Sequence, residues 1–514
     1  MNTVPYTDTR GLDGSRPLFS QTVVRGMARG GGLYVPESLP TLTLPEILAF
    51  AEWPYWRRAA AVFSRFGVDV SADRVDMLMR RAYGSQWDTQ TIAPVVEVAA
   101  GAHVLELWHG PTSAFKDMAL QCMPLFFSEA VDRLQAHGEI TDDFLVLVAT
   151  SGDTGKAALE GFADRSHTSI AVLYPADGVS DVQRLQMVTQ HGANVAVFGV
   201  HGNFDDCQNA VKATFNDADF AAELHEKYGL RLSSANSINW GRLLPQIAYY
   251  VSAYADMAAE GGVKPGSPMD VCVPTGNFGN ILGAYYARLI GVPIGRLICA
   301  SNENNVLTDF IGTGTYDISS RAFVTTPSPS MDILISSNLE RLLYHHAGAT
   351  AVREWMGQLA ETGRFTVTRE TFGWMRTLFA ADWVSNEQSL ATIKRVYDES
   401  GYLMDPHTAV AWEVAERLRE DDPVLIVSTA HWAKFGADVL KALTDTPYDA
   451  ALPGQYAAMS GLEMLDQVRL LAPDGPGIPA SLAALRDLSR RFDATIDSGS
   501  QAVEDALRGW LGNA

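Results

Sequence analysis

One lysine in the segment His109–Asp117, which reads HGPTSAFKD, could carry covalent chemistry. Lys116 follows Phe115 and precedes the apolar residues Met118–Leu120, so its amine could be partly buried. Burial disfavours the charged ammonium and lowers the pKa of a lysine, and the neutral amine can then form a Schiff base with a carbonyl compound. A surface lysine at the start of a helix would show the same local pattern, so the segment alone leaves both interpretations open.

A glycine-rich loop provides a candidate site for an anion. The residues Thr275–Asn280 read TGNFGN and lie between the apolar segment Asp270–Pro274 and a predicted helix, Asn280–Ile290. Glycines let successive backbone N–H groups turn towards one point, and a helix N-terminus adds partial positive charge there. The loop therefore could hold a phosphate without any lysine or arginine, although a tight strand-to-helix turn would use the same residues.

A hydroxyl-rich loop, Thr150–Lys156, also lies between a predicted strand and a predicted helix. Its sequence TSGDTGK resembles a nucleotide-binding P-loop, but the required spacing fails. Thr150 stands where that motif needs a glycine, and Ala157 stands where it needs a serine or threonine. The sequence therefore disfavours a P-loop ATPase and leaves a short anion-binding loop at a helix start.

These loops follow a regular alternation of strands and helices that begins near Val95. Continuous apolar strands separated by helices of this length predict a doubly wound, mostly parallel α/β sheet with helices on both faces. Ligands of such sheets bind at the carboxyl ends of the strands, where all three loops lie. The predicted strands are Phe144–Ala149, Ser169–Tyr174, Asn194–Val200, Leu230–Ser234, Asp270–Pro274, Arg296–Ala300 and Pro423–Ser428.

The pattern divides the chain into three parts. Residues 1–95 form a mixed N-terminal segment, and residues 96–300 form an α/β core with a smaller α/β subdomain inserted at about 150–235. Residues 301–514 are expected to complete the large domain and to end in a helical tail. Near the start of this part, Thr325–Ser330 is expected to form a loop.

Composition narrows the class of function. The formal net charge of −21 makes a nucleic-acid partner unexpected, because such a surface repels phosphate backbones. The four cysteines form no CxxC pair, so no metal site is expected. There is no signal-peptide pattern near Met1–Gly11 and no apolar run long enough for a membrane span, so we expect no membrane association and a cytoplasmic location.

Taken in order along the chain, the motifs resemble those of the threonine synthases of the longer bacterial and fungal type. The resemblance rests on HGPTSAFKD, TSGDTG, NSINWGR, PTGNFGN and STAHWAKF, and it covers nearly the whole chain. It implies the tryptophan-synthase-β-like fold of pyridoxal phosphate (PLP) enzymes, fold type II, with doubly wound and mostly parallel sheets in two domains.

The resemblance also implies roles for residues around the cofactor. Lys116 would form the Schiff base with PLP and then act as general base and acid. Thr429 would offer its hydroxyl to the pyridine nitrogen, and Asp153 would lie near the O3′ oxygen. The cofactor phosphate would be held by the backbone N–H groups of the loop Gly276, Asn277, Phe278, Gly279 and Asn280.

The substrate implied is O-phospho-L-homoserine, converted with water to L-threonine and phosphate by γ-elimination and β-addition of water, in a monomer or homodimer. Its phosphate needs a second anion pocket, in which Arg242 could bind it with two hydrogen bonds. The candidates for that pocket come from two loops and comprise Thr150, Ser151, Thr154, Asn236, Ser237 and Arg242.

Three alternatives stay open at this stage. A serine/threonine dehydratase or a phospholyase of the same fold would share the lysine chemistry, and a non-catalytic PLP-binding or anion-binding protein would share the loops. Two local features are also open. Trp432 departs from the proline common after STAH in the family, and Asp405–Thr408 fits a helix N-terminus whose His407 we assign to packing or loop ordering.

Overall fold

The computed structural model describes residues 3–512, so residues 1, 2, 513 and 514 of the predicted first and last segments lie outside the described residues. The strands are β1 Tyr6–Asp8, β2 Tyr34–Pro36, β3 Val95–Ala99, β4 Ala102–Glu106, β5 Asp143–Ala149, β6 Thr168–Pro175, β7 Val195–His201, β8 Leu230–Ser233, β9 Met269–Pro274, β10 Ile294–Ser301, β11 Thr315–Asp317, β12 Arg364–Thr366, β13 Phe379–Trp383, β14 Val424–Ser428 and β15 Thr495–Asp497.

Helices cover most of the remaining chain. They are α1 Phe19–Arg25, α2 Leu44–Ala49, α3 Tyr55–Arg65, α4 Ala72–Ala82, α5 Lys116–Leu120, α6 Met123–Ala136, α7 Asp153–Phe162, α8 Asp181–Val188, α9 Phe204–Asn216, α10 Ala218–Tyr228, α11 Trp240–Glu260, α12 Gly279–Leu289, α13 Val306–Thr313, α14 Leu339–Thr362, α15 Arg369–Leu378, α16 Asn386–Ser400, α17 Pro406–Leu418, α18 Gly436–Leu443, α19 Gly461–Leu471, α20 Ala480–Ala483 and α21 Ser500–Leu511. Gly348 interrupts α14 with a non-helical backbone.

Two sheets organise the molecule, and the predicted α/β fold is confirmed. The larger sheet has the order β13-β10-β9-β14-β4-β3, and its neighbours are parallel except for the edge pair β3 and β4. The smaller sheet has the order β15-β7-β6-β5-β8 and is parallel throughout. Strands such as β5 are buried along almost their whole length, which explains their continuous apolar sequence.

Some elements differ from the sequence-based expectation. The smaller sheet begins at Asp143 and gains a strand, Thr495–Asp497, from a region expected to be helical. The strand Phe379–Trp383 completes the larger sheet in a region where no strand was predicted. Both strands are short and partly exposed, so they lack the apolar run that marks a buried strand. The three-part division of the chain remains a prediction.

The long helix α11 supports the residues of the site. In α11 most residues are buried, and the helix packs against α12, α2, α3 and α5. Its first two turns carry Arg242 and Gln246, and its middle carries Tyr249 and Tyr250. A helix that is apolar around most of its circumference belongs in a core, so its few polar side chains stand out as candidates for a function.

Candidate active site

A cleft opens at the carboxyl ends of β9 and β14 in the larger sheet. This is the position at which parallel α/β sheets bind ligands. Its walls bring together residues from six separate parts of the chain: Phe115, Lys116, Ser237, Arg242, Gln246, Pro274, Thr275, Gly276, Asn277, Phe278, Gly279, Asn280, Ser330, Met331, His407 and Thr429.

The loop before Lys116 is fixed by hydrogen bonds to its own helix and to the end of β14. The buried Asp117 carboxylate accepts from the Thr112 N–H at 2.8 Å and from the Thr112 hydroxyl at 2.7 Å. The Phe115 N–H donates to the Thr429 carbonyl at 2.8 Å. These contacts fold the loop tightly, and they place Ser113 in the left-handed region with φ +60°. Lys116 is the first residue of α5, but it is partly buried and lines the cleft, so it is not the surface lysine of the alternative interpretation.

The Lys116 amine has few partners. Its Nζ lies 4.2 Å from the centroid of the Phe115 ring and forms no ion pair with a carboxylate among residues 3–512. Burial and the nearby positive charge of Arg242 lower the pKa of Lys116 to about 7, although Asp153 acts in the opposite direction. A substantial fraction of the amine is therefore neutral near pH 7, the form that a nucleophile or general base needs.

The loop Thr275–Asn280 forms a cradle of backbone donors at the start of α12. Phe278, the residue before the helix, has a left-handed backbone with φ 62°. The loop uses its carbonyl oxygens for internal contacts, because Gly276 O accepts from Ser336 Oγ at 2.8 Å and Asn277 O accepts from the Asn338 N–H at 3.1 Å. The first N–H groups of α12 have no acceptor within the helix, so they remain for a ligand.

Asn280 adds a polar side chain to this cradle. Its Oδ1 accepts from the hydroxyl of Tyr249 at 2.6 Å and from that of Tyr250 at 2.5 Å. Its Nδ2 is buried and has no hydrogen-bond partner among the residues that the structure describes. Buried polar atoms are normally paired, so an unpaired amide in the wall of a cleft points to a ligand acceptor.

Arg242 is a second unsatisfied cation in the same cleft. It is 2% exposed, its Nη1 donates to Ala235 O at 2.6 Å, and its Nε has no hydrogen-bond partner within residues 3–512. Burial lowers the pKa of Arg242 to about 10, and the guanidinium forms no ion pair in the described part of the chain. Leaving a buried charge without a counter-ion is unfavourable, so the position is typical of a site that receives an anion.

Five predicted site residues lie outside the cleft wall. Thr150 accepts with its hydroxyl from the N–H groups of Gly152 at 2.9 Å and Gly155 at 2.8 Å, so it caps the start of α7. Asp153 is buried, and its oxygens contact Gln183 at 2.8 Å, Lys434 at 3.0 Å and Ser330 at 3.2 Å. Ser151, Thr154 and Asn236 are partly buried and are also absent from the wall.

Sequence reasoning did not name several residues of the wall as site residues, and the polar side chains of His407, Ser330 and Gln246 are among them. His407 Nε2 accepts from the Ser330 N–H at 3.1 Å, and its Nδ1 lies 2.6 Å from Asp405 Oδ2. Asp405 also caps α17, so the predicted helix N-terminus with a proline at its first position is correct. The same short segment therefore both starts a helix and places a histidine in the cleft. The sequence pattern was explained by the helix start, so the histidine was not recognised as a site residue. Ser330 and Gln246 gave no signal.

Comparison with known proteins agrees with this geometry. Residues 97–430 match the family model described as pyridoxal-phosphate dependent enzyme, residues 5–83 match threonine synthase N terminus, and residues 408–507 match threonine synthase, C-terminal. The threonine synthase of Pseudomonas aeruginosa is 39% identical over 442 residues, which cover 85% of this chain and 90% of that protein.

The chain belongs to the threonine synthase family of pyridoxal-phosphate dependent lyases. A crystal structure of PLP-bound threonine synthase from Brucella melitensis has a TM-score of 0.83 and 36% identity, and the match covers 99% of each chain. The predicted fold type and family are therefore confirmed.

Another set of relatives is more similar but longer. The human protein named threonine synthase-like 1 is 43% identical over 440 residues, which cover 84% of this chain. The chain spans 58% of the length of that relative. Within residues 3–512, no helix is both long and apolar enough to cross a bilayer, and no cluster of three or more potential metal ligands occurs.

Proposed function

We propose that this protein converts O-phospho-L-homoserine and water into L-threonine and phosphate with the help of pyridoxal phosphate. The observation that carries the proposal is the presence of two separate anion-binding features in one cleft, the cradle at Gly276–Asn280 and the unpaired guanidinium of Arg242. The cofactor and the substrate each bring one phosphate, so a cleft with two such features fits this pair of ligands.

The residues present fit the cofactor. The cradle at the start of α12 would hold the cofactor phosphate through backbone N–H groups, and the unpaired Nδ2 of Asn280 is available beside it. Thr429, at the end of β14, has no side-chain hydrogen bond within residues 3–512 and would offer its hydroxyl to the pyridine nitrogen. When bound, pyridoxal phosphate supplies an electron sink that stabilises negative charge at the substrate Cα.

Lys116 carries the protons of the proposed reaction. A neutral amine holds one added proton at a time, so Lys116 would take a proton from Cα and release it before it takes one from Cβ, and it would return that second proton to Cγ after phosphate has left that carbon. Water then adds its oxygen to Cβ, and Cα regains a proton, so the net change is the loss of phosphate and the gain of one water. A pKa of about 7 suits an amine that must both accept and donate protons near neutral pH.

Arg242 and Ser237 are the residues of the cleft that we assign to the substrate phosphate. A guanidinium can hold phosphate through two parallel charge-assisted hydrogen bonds, and the Ser237 hydroxyl adds a neutral donor. The roles of Thr150, Ser151, Thr154 and Asn236 at the substrate, and of Asp153 near the cofactor, remain predictions. A cytoplasmic location and a monomeric or homodimeric state also remain predictions; the four cysteines are free and buried, as expected for a reducing compartment.

The test is turnover of O-phospho-L-homoserine by the purified protein with pyridoxal phosphate, scored for phosphate and threonine in the same sample. Equal amounts of both products are expected, and Lys116→Ala should abolish both. Phosphate with 2-oxobutyrate instead of threonine would indicate a phospholyase. Release of 2-oxobutyrate from threonine, without any reaction of the phosphorylated substrate, would indicate a dehydratase. A PLP-loaded protein that catalyses none of these reactions would contradict the proposal.

A further inference from the structure

A second buried lysine lies behind the cleft, and its environment is the opposite of that of Lys116. Lys434 belongs to the short 3-10 turn Trp432–Phe435 and is fully buried. Its ammonium donates to Thr112 O at 2.8 Å and to Gln186 Oε1 at 2.9 Å, and it pairs with Asp153 Oδ1 at 3.0 Å. An ammonium has three protons, so each has one acceptor and none is left for a ligand.

The three acceptors come from three different parts of the fold. Thr112 belongs to the loop that carries Lys116, whereas Asp153 begins α7, which packs on β6 of the smaller sheet, and Gln186 lies on α8, which follows β6 in the chain. Lys434 itself follows β14 of the larger sheet. The Lys434 carbonyl also accepts from Ser180 Oγ at 2.9 Å, at the start of α8. One side chain therefore joins the larger sheet, the smaller sheet and the reactive loop.

A series of hydrogen bonds connects the Lys434–Asp153 ion pair to the cleft wall. The second oxygen of Asp153 accepts from Ser330 Oγ at 3.2 Å, and the Ser330 N–H donates to His407 Nε2. Ser330 and His407 both line the cleft. Burial alone would raise the pKa of Asp153, but the Lys434 ammonium and the hydrogen bond from Gln183 keep it below the usual value, so the carboxylate stays ionised. The charged groups that act on Lys116 are Arg242 and this carboxylate.

We propose that Lys434 is a positioning residue that acts through Asp153 and Thr112 to hold the reactive loop and the ionised Asp153 in place beside Lys116. The ion pair is fully buried and spans the boundary between the two sheets, so it fixes how the smaller sheet lies against the loop. This inference rests on the proposed function only for its kinetic readout.

The test is a double-mutant cycle in the PLP-loaded protein with Lys434→Met, Asp153→Asn and the combined variant. Each single change should lower kcat by at least about tenfold, because small displacements of catalytic groups have large effects. Lys434→Met alone leaves a buried carboxylate without its cation, so it could fail to fold. The combined variant removes both charges and should recover the urea midpoint of unfolding but not kcat.

A spectroscopic readout separates positioning from a purely structural role. Asp153→Asn removes a negative charge that stabilises protonation at the Lys116 nitrogen, so the pH midpoint of the visible cofactor absorbance should fall in that variant and in the combined one. Lys394→Met is the matched control, since Lys394 forms a lysine–aspartate pair with Asp445 at 2.6 Å on the surface. It should change neither kcat nor the pH midpoint.

The outcomes are decisive in both directions. Losses in kcat that are coupled in the cycle, with a lowered pH midpoint, support the proposal. Losses that multiply independently, or natural values of kcat and midpoint in the combined variant, overturn it. If the natural protein makes no threonine, the proposed function fails, but the pH midpoint and the coupled unfolding of the variants still test the role of Lys434.

Discussion

At the scale of single residues, the buried cations of this protein fall into two groups. In Lys434 and Arg341 every side-chain nitrogen donates a hydrogen bond, and Arg341 donates to Tyr34 O, Asn338 Oδ1 and Ile238 O. Lys116 and Arg242 line the cleft, and within residues 3–512 the Lys116 amine forms no ion pair and the Arg242 Nε has no hydrogen-bond partner. Because these unsatisfied donors occur in the cleft, they are best explained by an anionic ligand and by chemistry on it.

Arg242→Met should act mainly on the affinity for the phosphorylated substrate. Loss of a charge-assisted hydrogen bond corresponds to about 2 kcal/mol, so kcat/KM should fall by about thirtyfold, mostly through KM. Steady-state kinetics with O-phospho-L-homoserine measure the effect. Arg486→Met is the control, since Arg486 pairs with Asp466 on the surface, and it should leave kcat/KM unchanged. A purely kcat effect in Arg242→Met would contradict phosphate binding.

Lys116→Met should stabilise the cofactor-free protein while it abolishes turnover. The pKa of Lys116 is lowered in the folded state, so the unfolded chain binds an extra proton between about pH 7 and pH 10.5. One pKa unit corresponds to about 1.4 kcal/mol, so the variant should gain up to about 5 kcal/mol in the free energy of unfolding at or below pH 7, and the gain should disappear above pH 10.5. Urea unfolding at pH 7 and pH 10.5 measures it, and an equal gain at both pH values would contradict the assigned pKa.

Sequence reasoning pointed to Lys116 and the loop Gly276–Asn280 through their local composition, whereas Arg242 became a candidate only through the family resemblance. Its role for Thr150 at the substrate phosphate remains a prediction, and the structure shows a further use of that hydroxyl, which accepts from two N–H groups of its own loop. Serine and threonine hydroxyls satisfy nearby backbone groups as readily as ligands, and only coordinates distinguish these uses. Ser330 was not predictable, because a distant histidine and aspartate place it in the cleft.

At the scale of elements, the start of α12 is the feature on which cofactor binding depends. A Cβ added at Gly279 would come no closer than 3.6 Å to another heavy atom, so the protein itself tolerates alanine there. At Gly276 the added Cβ would lie 2.9 Å from Ser330 O, so alanine there would disturb the cleft wall as well. Alanine at Gly279 therefore tests ligand binding alone, whereas alanine at Gly276 would also test the packing of the cleft wall.

Gly279→Ala should weaken PLP binding without destabilising the protein. The methyl group would occupy space in the proposed phosphate cradle, so we expect the Kd of the cofactor to rise at least about tenfold. Absorbance titration gives the Kd, and urea unfolding of the cofactor-free protein gives the stability. Gly373→Ala is the matched control, because Gly373 lies on an exposed part of α15 with open space around it. An unchanged Kd in Gly279→Ala would place the cofactor phosphate elsewhere.

The strands of both sheets show which part of a fold a sequence reveals. The buried strands β5, β6, β7 and β9 were predicted within about two residues, because burial on both faces requires a continuous apolar run. The strand β13 was missed, since Phe379–Trp383 is half-exposed and contains an aspartate. Its place is decided by pairing with β10, a tertiary contact that no local pattern records.

At the scale of the whole molecule, His109 links the N-terminal region to the larger sheet. Its Nδ1 lies 2.6 Å from Asp88 Oδ1, and its Nε2 lies 2.9 Å from Glu106 Oε2 at the end of β4. Burial disfavours the charged imidazolium, but Asp88 and Glu106 outweigh it and raise the pKa of His109 to about 9. The stabilisation is therefore fully present below about pH 6.5 and is lost as the pH rises through 9.

His109→Gln should lower the free energy of unfolding at pH 6 by about 2 kcal/mol, and by much less at pH 10. Urea unfolding at the two pH values measures the difference. His137→Gln provides the comparison, since His137 is exposed at the end of α6, and it should have little effect at either pH. A similar loss at pH 6 and pH 10 in His109→Gln would show that packing, and not charge, is the dominant contribution.

The edge strand of the smaller sheet has a consequence for biosynthesis. β7 ends at His201, but its neighbour β15 begins only at Thr495, and α21 then packs its buried Val503 and Leu507 onto the same unit. A nascent chain that has emerged from the ribosome through the strands of the larger sheet, but not yet through β15, still exposes the unpaired edge of β7. That edge is open to pairing with another chain. Slow translation or premature release between these two strands would therefore favour aggregation, and chaperone engagement should be strongest over that interval.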